Sequence, residues 1–225
     1  MRCTILPIFL LLGSIQAAFA DWIVKQKVEG GMNSGEMTLW IKDDKARLDV
    51  SNQISVLTDL ATGDSITLNH NAKVLLRIPA TEAAKVRESA LGLKPGGPEQ
   101  APKLAATNRN EKVENHECEI FTWQLGDLQV TDWIARDYPN FQSLQAALAR
   151  FQNAGLAKAA QPLMPPPDQF PGMVIRREMN VRGTKTTTTL LSAKEETLDE
   201  KRFAPPSDYK EQPVLRLPPA EPEKE

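Results

Sequence analysis

From Trp22 onward apolar and polar positions alternate with period two, Trp22, Val24 and Val28 against Ile23, Lys25 and Lys27, until a Gly30-Gly31 break. A second run, Glu36 to Lys42, sets Met37, Leu39 and Ile41 on one face and Thr38 and Trp40 on the other. Alternation of this kind predicts half-buried strands, because successive side chains of an extended chain point to opposite sides. Asp43-Asp44-Lys45 turns the chain into Ala46 to Val50, and further short runs follow at Ile54 to Thr58, Ser65 to Leu68 and Lys73 to Ile78. Their separators, Thr62-Gly63-Asp64 and Asn69-His70-Asn71, are turn chemistry. Tight turns between short strands predict an antiparallel meander, since parallel strands need long crossovers.

The period then changes. Thr81 supplies a cap, Glu82 lies in the first turn, Arg87 towards the end and Gly92 just past Leu91, which predicts a short helix over 81–91. Residues 92–108 carry Gly92, Pro95, Gly96, Gly97, Pro98 and Pro102 and predict a flexible insert or lid. Strand periodicity returns over Val113 to Leu125 and Leu128 to Ala135 about Gly126-Asp127, placing Trp123 and Trp133 near each other across a hairpin. Phe141, Leu144, Leu148 and Phe151 share one stripe of a helix predicted over 140–158. The last strands run Met173 to Val181 and Thr184 to Asp199, and the proline-rich, charged tail over 210–225 is predicted to be disordered. About ten strands against two or three helices predict an α+β fold, a curled antiparallel β-sheet forming a half-open barrel with helices over it.

Composition changes this picture at the N-terminus. Residues 1–20 read as a signal peptide, with Arg2 ahead of the apolar run Ile5 to Leu12 and the small-residue exit Ala18-Phe19-Ala20. Cleavage is expected after Ala20, giving an exported, periplasmic or extracellular protein with no transmembrane segment, since the run is shorter than the roughly 20 residues a spanning helix needs. Cys3 leaves with the signal, so Cys118 is the mature chain's only thiol and no internal disulfide can form. The formal net charge of −2, made one unit more negative by loss of Arg2, gives no electrostatic case for nucleic acid.

Candidate chemistry is sparse. His116 and Cys118 share a strand face, a zinc-like pair, but the only other histidine is His70, and the expected use is a buried cysteine beside an exposed histidine. Activation of Cys118 by His116 is disfavoured, because residues two apart on a strand sit too far apart for a short hydrogen bond. Paired carboxylates such as Asp43-Asp44, Glu195-Glu196 and Asp199-Glu200 fall in turns or at strand ends, where solvated charge is the expected use. There is no serine elbow, P-loop or dinucleotide glycine pattern, so no catalytic residue, metal or cofactor is expected. Trp22, Met37, Trp40, Trp123, Trp133, Phe141, Leu144, Leu148, Phe151, Met164 and Phe170 make an adaptable apolar set suited to lining a ligand, with Arg47 placed to meet an acidic head; the alternative is that these side chains simply pack together.

Gly35-Glu-Met-Thr-Leu-Trp-Ile-Lys42, Leu57-Thr-Asp59, Gly63 and Phe203-Ala-Pro-Pro206 resemble the periplasmic lipoprotein-carrier (LolA/LolB-like) superfamily. Lys45-Ala-Arg47, Cys118 to Trp123, Asp132-Trp-Ile-Ala-Arg-Asp-Tyr-Pro139 and Phe203 to Tyr209 resemble more closely an uncharacterised bacterial domain-of-unknown-function family within it. The resemblance implies a single LolA-like domain over 21–209 whose relatives hold acyl chains or other apolar groups in the sheet concavity. The carriers open with a long helix and place an arginine where this chain has Asp43. The expected function is therefore non-enzymatic binding or carriage of an apolar or acylated ligand, lipid or lipoprotein-like. The alternative is an envelope protein-interaction or structural module without a small ligand.

Overall fold

The computed structural model describes residues 20–30, 34–83, 85, 101–160 and 163–213. The expected signal segment up to residue 19, residues 92–100 of the expected insert and the tail from 214 lie outside the described residues. Strands β1 (Trp22–Gly30), β2 (Gly35–Lys42), β3 (Lys45–Asp49), β4 (Ile54–Asp59), β5 (Ser65–Asn69) and β6 (Val74–Ile78) form the expected meander. The chain then returns through β7 (Ala105–Val113), β8 (His116–Leu125) and β9 (Leu128–Ala135), two helices α1 (Phe141–Gln152) and α2 (Gly155–Ala160), and β10 (Met173–Val181), β11 (Thr184–Glu195) and β12 (Lys210–Gln212). All twelve strands join one open sheet in the order β12-β6-β5-β4-β3-β2-β1-β11-β10-β9-β8-β7. The first strand therefore lies inside the sheet, with one meander growing from each of its edges.

Several expectations are corrected. Among the described residues the sheet has twelve strands, against the roughly ten read from periodicity. Residues 105–108 belong to β7, not to an irregular insert; this outermost strand is exposed along most of its length, so nothing selects for alternation. Residues 210–212 form a strand, parallel to β6, instead of starting a disordered tail. The expected helix at 140–158 is two helices, because Gly155 sits at φ +49 where a Cβ would come 2.5 Å from Ser65 Oγ and 2.9 Å from the Gly63 carbonyl oxygen. Of the helix expected over 81–91, Ala83 and Lys85 are helical, and residues 84 and 86–91 lie outside the described residues. Trp123 and Trp133 lie on opposite faces of their hairpin: Leu125 opposes Leu128 across the two-residue turn, which pairs Trp123 with Val130 and Trp133 with Ile120.

Cross-strand register sorts the remaining side chains. Trp22 opposes Ile41, Val24 opposes Leu39, and Ile41 and Leu39 oppose Ala46 and Leu48, so these residues share one face. That face is covered by α1, whose Leu144 and Ala147 are buried in the same cluster, with Phe141, Leu148 and Phe151 packed partly against it. The opposite face of β4–β6 carries a second, smaller cluster of Leu57, Leu68 and Leu75, flanked by Ile66 and Tyr209. Residues 198–212 run across this second face as a strap. Leu198 anchors its start, buried and donating its N–H to the Asp21 carboxylate at 2.9 Å. The same carboxylate accepts from Lys42 Nζ at 3.1 Å, tying the chain just before β1 to β2 and to the strap.

Candidate functional site

Among the described residues a half-open concavity of about 430 Å³ lies at one end of β3–β6, within the roughly 300–1,000 Å³ common for small-ligand sites. It collects the start of β3 (Lys45, Ala46), the end of β4 (Leu57, Thr58, Asp59), the start of β5 (Ser65, Ile66) and the end of β6 (Arg77, Ile78), with Pro79 beyond and Phe203 contributed by the strap. Antiparallel order produces this site directly, because alternate strands begin and end at the same edge of the meander. Cross-strand register puts Leu57 and Ile66 on one face and Ala46, Thr58, Ser65 and Ile78 on the other, so the cleft wraps the sheet's end, with Leu57, Ile66 and Phe203 supplying apolar surface and Lys45, Asp59, Asp64 and Arg77 charge.

The turn between β4 and β5 holds its two carboxylates in scaffolding. Asp59 Oδ1 accepts from the N–H groups of Ala61 and Thr62 at 2.9 and 2.8 Å, and Asp64 Oδ1 accepts from the Ala80 N–H at 3.0 Å. Lys45 and Arg77 reach across to the strap, pairing with Glu200 at 2.6 Å and Glu211 at 2.9 Å. Phe203 is thus a wall brought to the cleft by a segment that is itself tied down at the rim.

Beside the cleft, a hydrogen-bonded chain joins the strap to the sheet. His70 Nδ1 lies 2.6 Å from the Tyr209 hydroxyl, and His70 Nε2 lies 2.7 Å from Ser55 Oγ. Ser55 Oγ donates to Asp49 Oδ1 at 2.6 Å, and Arg47 Nε donates to the same oxygen at 2.7 Å. Because the Ser55 hydroxyl donates its proton to Asp49, the hydrogen bond between Ser55 and His70 runs from Nε2–H to Ser55 Oγ. A serine, a histidine and an aspartate are together, but the aspartate holds the serine rather than orienting the imidazole, and Ser55 is fully buried. The geometry is that of a tether. Arg47 Nη1 also donates to the Arg202 carbonyl at 3.1 Å, and the Arg202 guanidinium lies 4.8 Å from the Trp40 ring centroid.

The residues read from the sequence as lining separate into distinct places. Trp22, Phe141, Leu144, Leu148 and Phe151 come together, but against one another under α1, with Trp22 and Leu144 buried. Trp40 and Arg47 are cross-strand partners on the opposite face, under the strap. Trp123 and Phe170 meet around Arg177, whose guanidinium lies 5.7 and 5.8 Å from their ring centroids. Trp133 donates to Glu111 at 2.9 Å, with Arg176 beside its ring. Met37 and Met164 are half-buried. None of the twelve lines the cleft. The residues that do are a mixture of aliphatic, short and charged side chains at strand ends with Phe203 from the strap, and the sequence signal for them is Phe203 to Tyr209, which carries the family resemblance.

Cys118 is buried, its Sγ 3.5 Å from the His116 carbonyl, and burial pushes the thiol pKa up, away from the reactive thiolate. The His116 ring packs instead against Tyr138, and no group of three potential metal ligands forms among the described residues.

At the strap's far end Lys73 Nζ meets Asp208 Oδ2 at 2.8 Å. This hydrogen bond holds the Asp208 carboxyl below its usual 3.8 and raises the Lys73 ammonium above its usual 10.5. Asp208 therefore contributes above pH 3.8, and its contribution is lost as pH falls through its lowered value in the folded chain; the Lys73 contribution is present below 10.5 and lost on the alkaline side. Acid titration should show a small step in Trp40 emission as the strap loosens. Asp208→Asn should lack that step, and an identical step in the variant would refute the assignment.

A family model described as Domain of unknown function (DUF4412) matches residues 24–209. No curated protein matches the sequence. Among solved structures, the chain is similar to PNGF-II in a C2 crystal form at 11% identity and a TM-score of 0.43, over 87% of this chain and 31% of that one. It thus spans less than a third of that protein. It is also similar to the Mycobacterium tuberculosis lipoprotein LppX, at 9% identity and a TM-score of 0.38 over 81% and 90% of the two chains. A DUF1329 family protein from Desulfovibrio piger gives 9% identity and 0.34, over 84% and 91%. Among the described residues no helix is long and apolar enough to cross a membrane.

Proposed function

The chain belongs to the family described as Domain of unknown function (DUF4412), and we propose that it is an exported, non-enzymatic protein that binds the apolar chain of a lipid or acylated partner in the cleft at the ends of β3–β6. The observation that carries this reading is the cleft, where Leu57 and Ile66 on one face of the sheet and Phe203 from the strap supply apolar surface and Lys45, Asp59, Asp64 and Arg77 stand beside them. Such a site takes a hydrocarbon chain inside and leaves a polar head in water. Burying ten methylenes is worth about 8 kcal/mol before the losses of immobilisation, enough for useful affinity with no ionic anchor. The signal-like residues 1–20 and the carrier-like segments Gly35 to Lys42 and Phe203 to Pro206 support the same class. The site differs from the sheet concavity expected from the carriers, because α1 and its aromatic stripe occupy that face.

The rival reading, a protein-interaction module, draws on β7, which among the described residues pairs only with β8. That strand is blunted by a register shift between Ala106 and Asn110, by Asn108 at φ 56 and by the charges of Arg109 and Lys112. Such features oppose strand addition.

Native mass spectrometry of protein from the exported fraction, with titration of a dansyl-labelled undecanoic acid, tests the proposal. The expected result is a co-purifying apolar ligand and saturable probe binding, weakened at least ~10-fold by Ile66→Glu, which places a carboxylate on that apolar surface. Leu191→Glu, at an exposed position on β11, should bind as the unmodified protein does. Absence of both ligand and saturable binding would sink the reading.

A further inference from the structure

We infer that the C-terminal strap, residues 198–212, is the moving wall of the cleft: it lifts from β4–β6 to admit an apolar chain and closes over it, so that the bound chain continues beneath the strap along Leu57, Ile66, Leu68 and Leu75. The inference rests on the cleft being a ligand site. Four features of the molecule lead to it.

Phe203 belongs to the strap and lines the cleft, so displacing the strap changes the cleft itself. The apolar cluster under the strap is separate from the main core, so uncovering it leaves the packing between α1 and the sheet intact. Among the described residues the strap's strand pairing with the sheet is one short parallel ladder at the outer edge, Lys210 to Gln212 on Val74 to Leu76, where opening breaks no interior strand pair, and nearer the fixed end its Arg202 carbonyl is held by the Arg47 side chain. Its remaining ties are mostly solvent-facing ion pairs, Lys45 with Glu200, Lys73 with Asp208 and Arg77 with Glu211, in which every side chain is at least half exposed. Pairs of that kind hold a segment weakly and re-form readily.

The two ends of the strap are unequal. Leu198, buried and bonded to Asp21, is a fixed point, and Asp199 caps the following turn by accepting from the Lys201 N–H at 2.9 Å. At the other end the Tyr209 hydroxyl on His70 is the one specific catch, and it is backed by the buried Ser55. The movement is therefore a hinge near Leu198 with release at Tyr209. An apolar ligand recovers by contact with Leu57, Leu68 and Leu75 what the lifted Tyr209 gives up, so the strap settles over the chain rather than being expelled.

A reversible lock tests this in the full mature chain carrying Cys118→Ser. Val74 and Lys210 are register partners in adjacent strands, where Cα atoms stand close enough for a disulfide, so Val74→Cys with Lys210→Cys ties the strap shut on oxidation. The expected result is that dansyl-labelled undecanoic acid associates with the oxidised form at least ~10-fold more slowly than with the reduced form, and that reductant restores the rate. Equal rates in both forms would overturn the gate and leave the cleft standing; failure of every form, the unmodified protein included, to bind the probe would overturn the cleft reading and this inference with it. Hydrogen exchange probes the hinge without any ligand. The amides of Tyr209 to Gln212 should exchange at least ~100-fold faster than those in the middle of β4 and β5. Equal protection would refute the hinge.

Discussion

Replacing Asp132 by alanine should cost about 3–5 kcal/mol of folding stability, among the largest single losses this chain can suffer. Its side chain is fully buried, yet it sits in β9 among strands that pack through apolar residues. What makes the carboxylate tolerable is that both oxygens are used. Arg177 Nε donates to Oδ1 at 2.6 Å, Arg177 Nη2 donates to Oδ2 at 3.0 Å, and the Trp123 indole N–H donates to Oδ2 at 2.9 Å. The register of β9 against β10 places Asp132 directly opposite Arg177, so the bidentate pair needs no backbone adjustment. Removing the carboxylate leaves a largely buried guanidinium and an indole N–H without their acceptor. The aromatic faces of Trp123 and Phe170 beside Arg177 soften the loss without replacing the charge. Urea unfolding of Asp132→Ala measures it. The paired replacement of Asp132 by leucine and Arg177 by methionine should recover most of the deficit, since neither partner then carries a desolvated charge. A double variant as unstable as the sum of the single ones would contradict this account.

This network shows where sequence reading stops. Arg177 and Asp132 are far apart in the chain, and an isolated aspartate in a strand of alternating residues looks like a surface position. Only the register of β9 on β10 joins them. The N-terminal meander was legible because each of β1–β6 carries its own alternation and each turn its own Gly, Asp or Asn. Strand β7 was not, because an exposed edge strand needs no apolar face. The break between α1 and α2 was hidden because the apolar stripe runs through it; the constraint at Gly155 comes from Ser65 and Gly63, which lie across the fold.

The same distinction explains the site. Large aromatics draw attention in a sequence, but a residue that fills space inside a sheet–helix layer has the same composition signal as one that lines a cavity. Trp22, Leu144 and Phe151 proved to be neighbours of one another. The cleft is built from the ends of four strands and one distant phenylalanine, and each of its residues taken alone is ordinary. What could have pointed there is the shared edge of an antiparallel meander, combined with the Phe203 to Tyr209 motif that the chain has no local reason to keep apolar.

Trp22 separates packing from binding. It is 2% exposed and belongs to the core cluster under α1, so Trp22→Ala should cost about 3–5 kcal/mol through lost burial and the cavity left behind. Its indole N–H, however, is buried with no hydrogen-bond partner, which is a standing cost. Trp22→Phe gives up some packed volume but removes that orphaned donor. The two effects oppose each other, and the net change should lie within about 1 kcal/mol. Chemical denaturation distinguishes the pair of variants, and a loss for Trp22→Phe close to that for Trp22→Ala would mean that the N–H is satisfied in solution. Probe binding adds the functional half. If the acyl chain lay between α1 and the sheet, shortening the indole would alter affinity for dansyl-labelled undecanoic acid; with the chain in the cleft at the ends of β3–β6, Trp22→Phe should bind it as the unmodified protein does, while Ile66→Glu should not. A reversed pattern would move the ligand back to the helix-covered face and leave the strap with no ligand to admit.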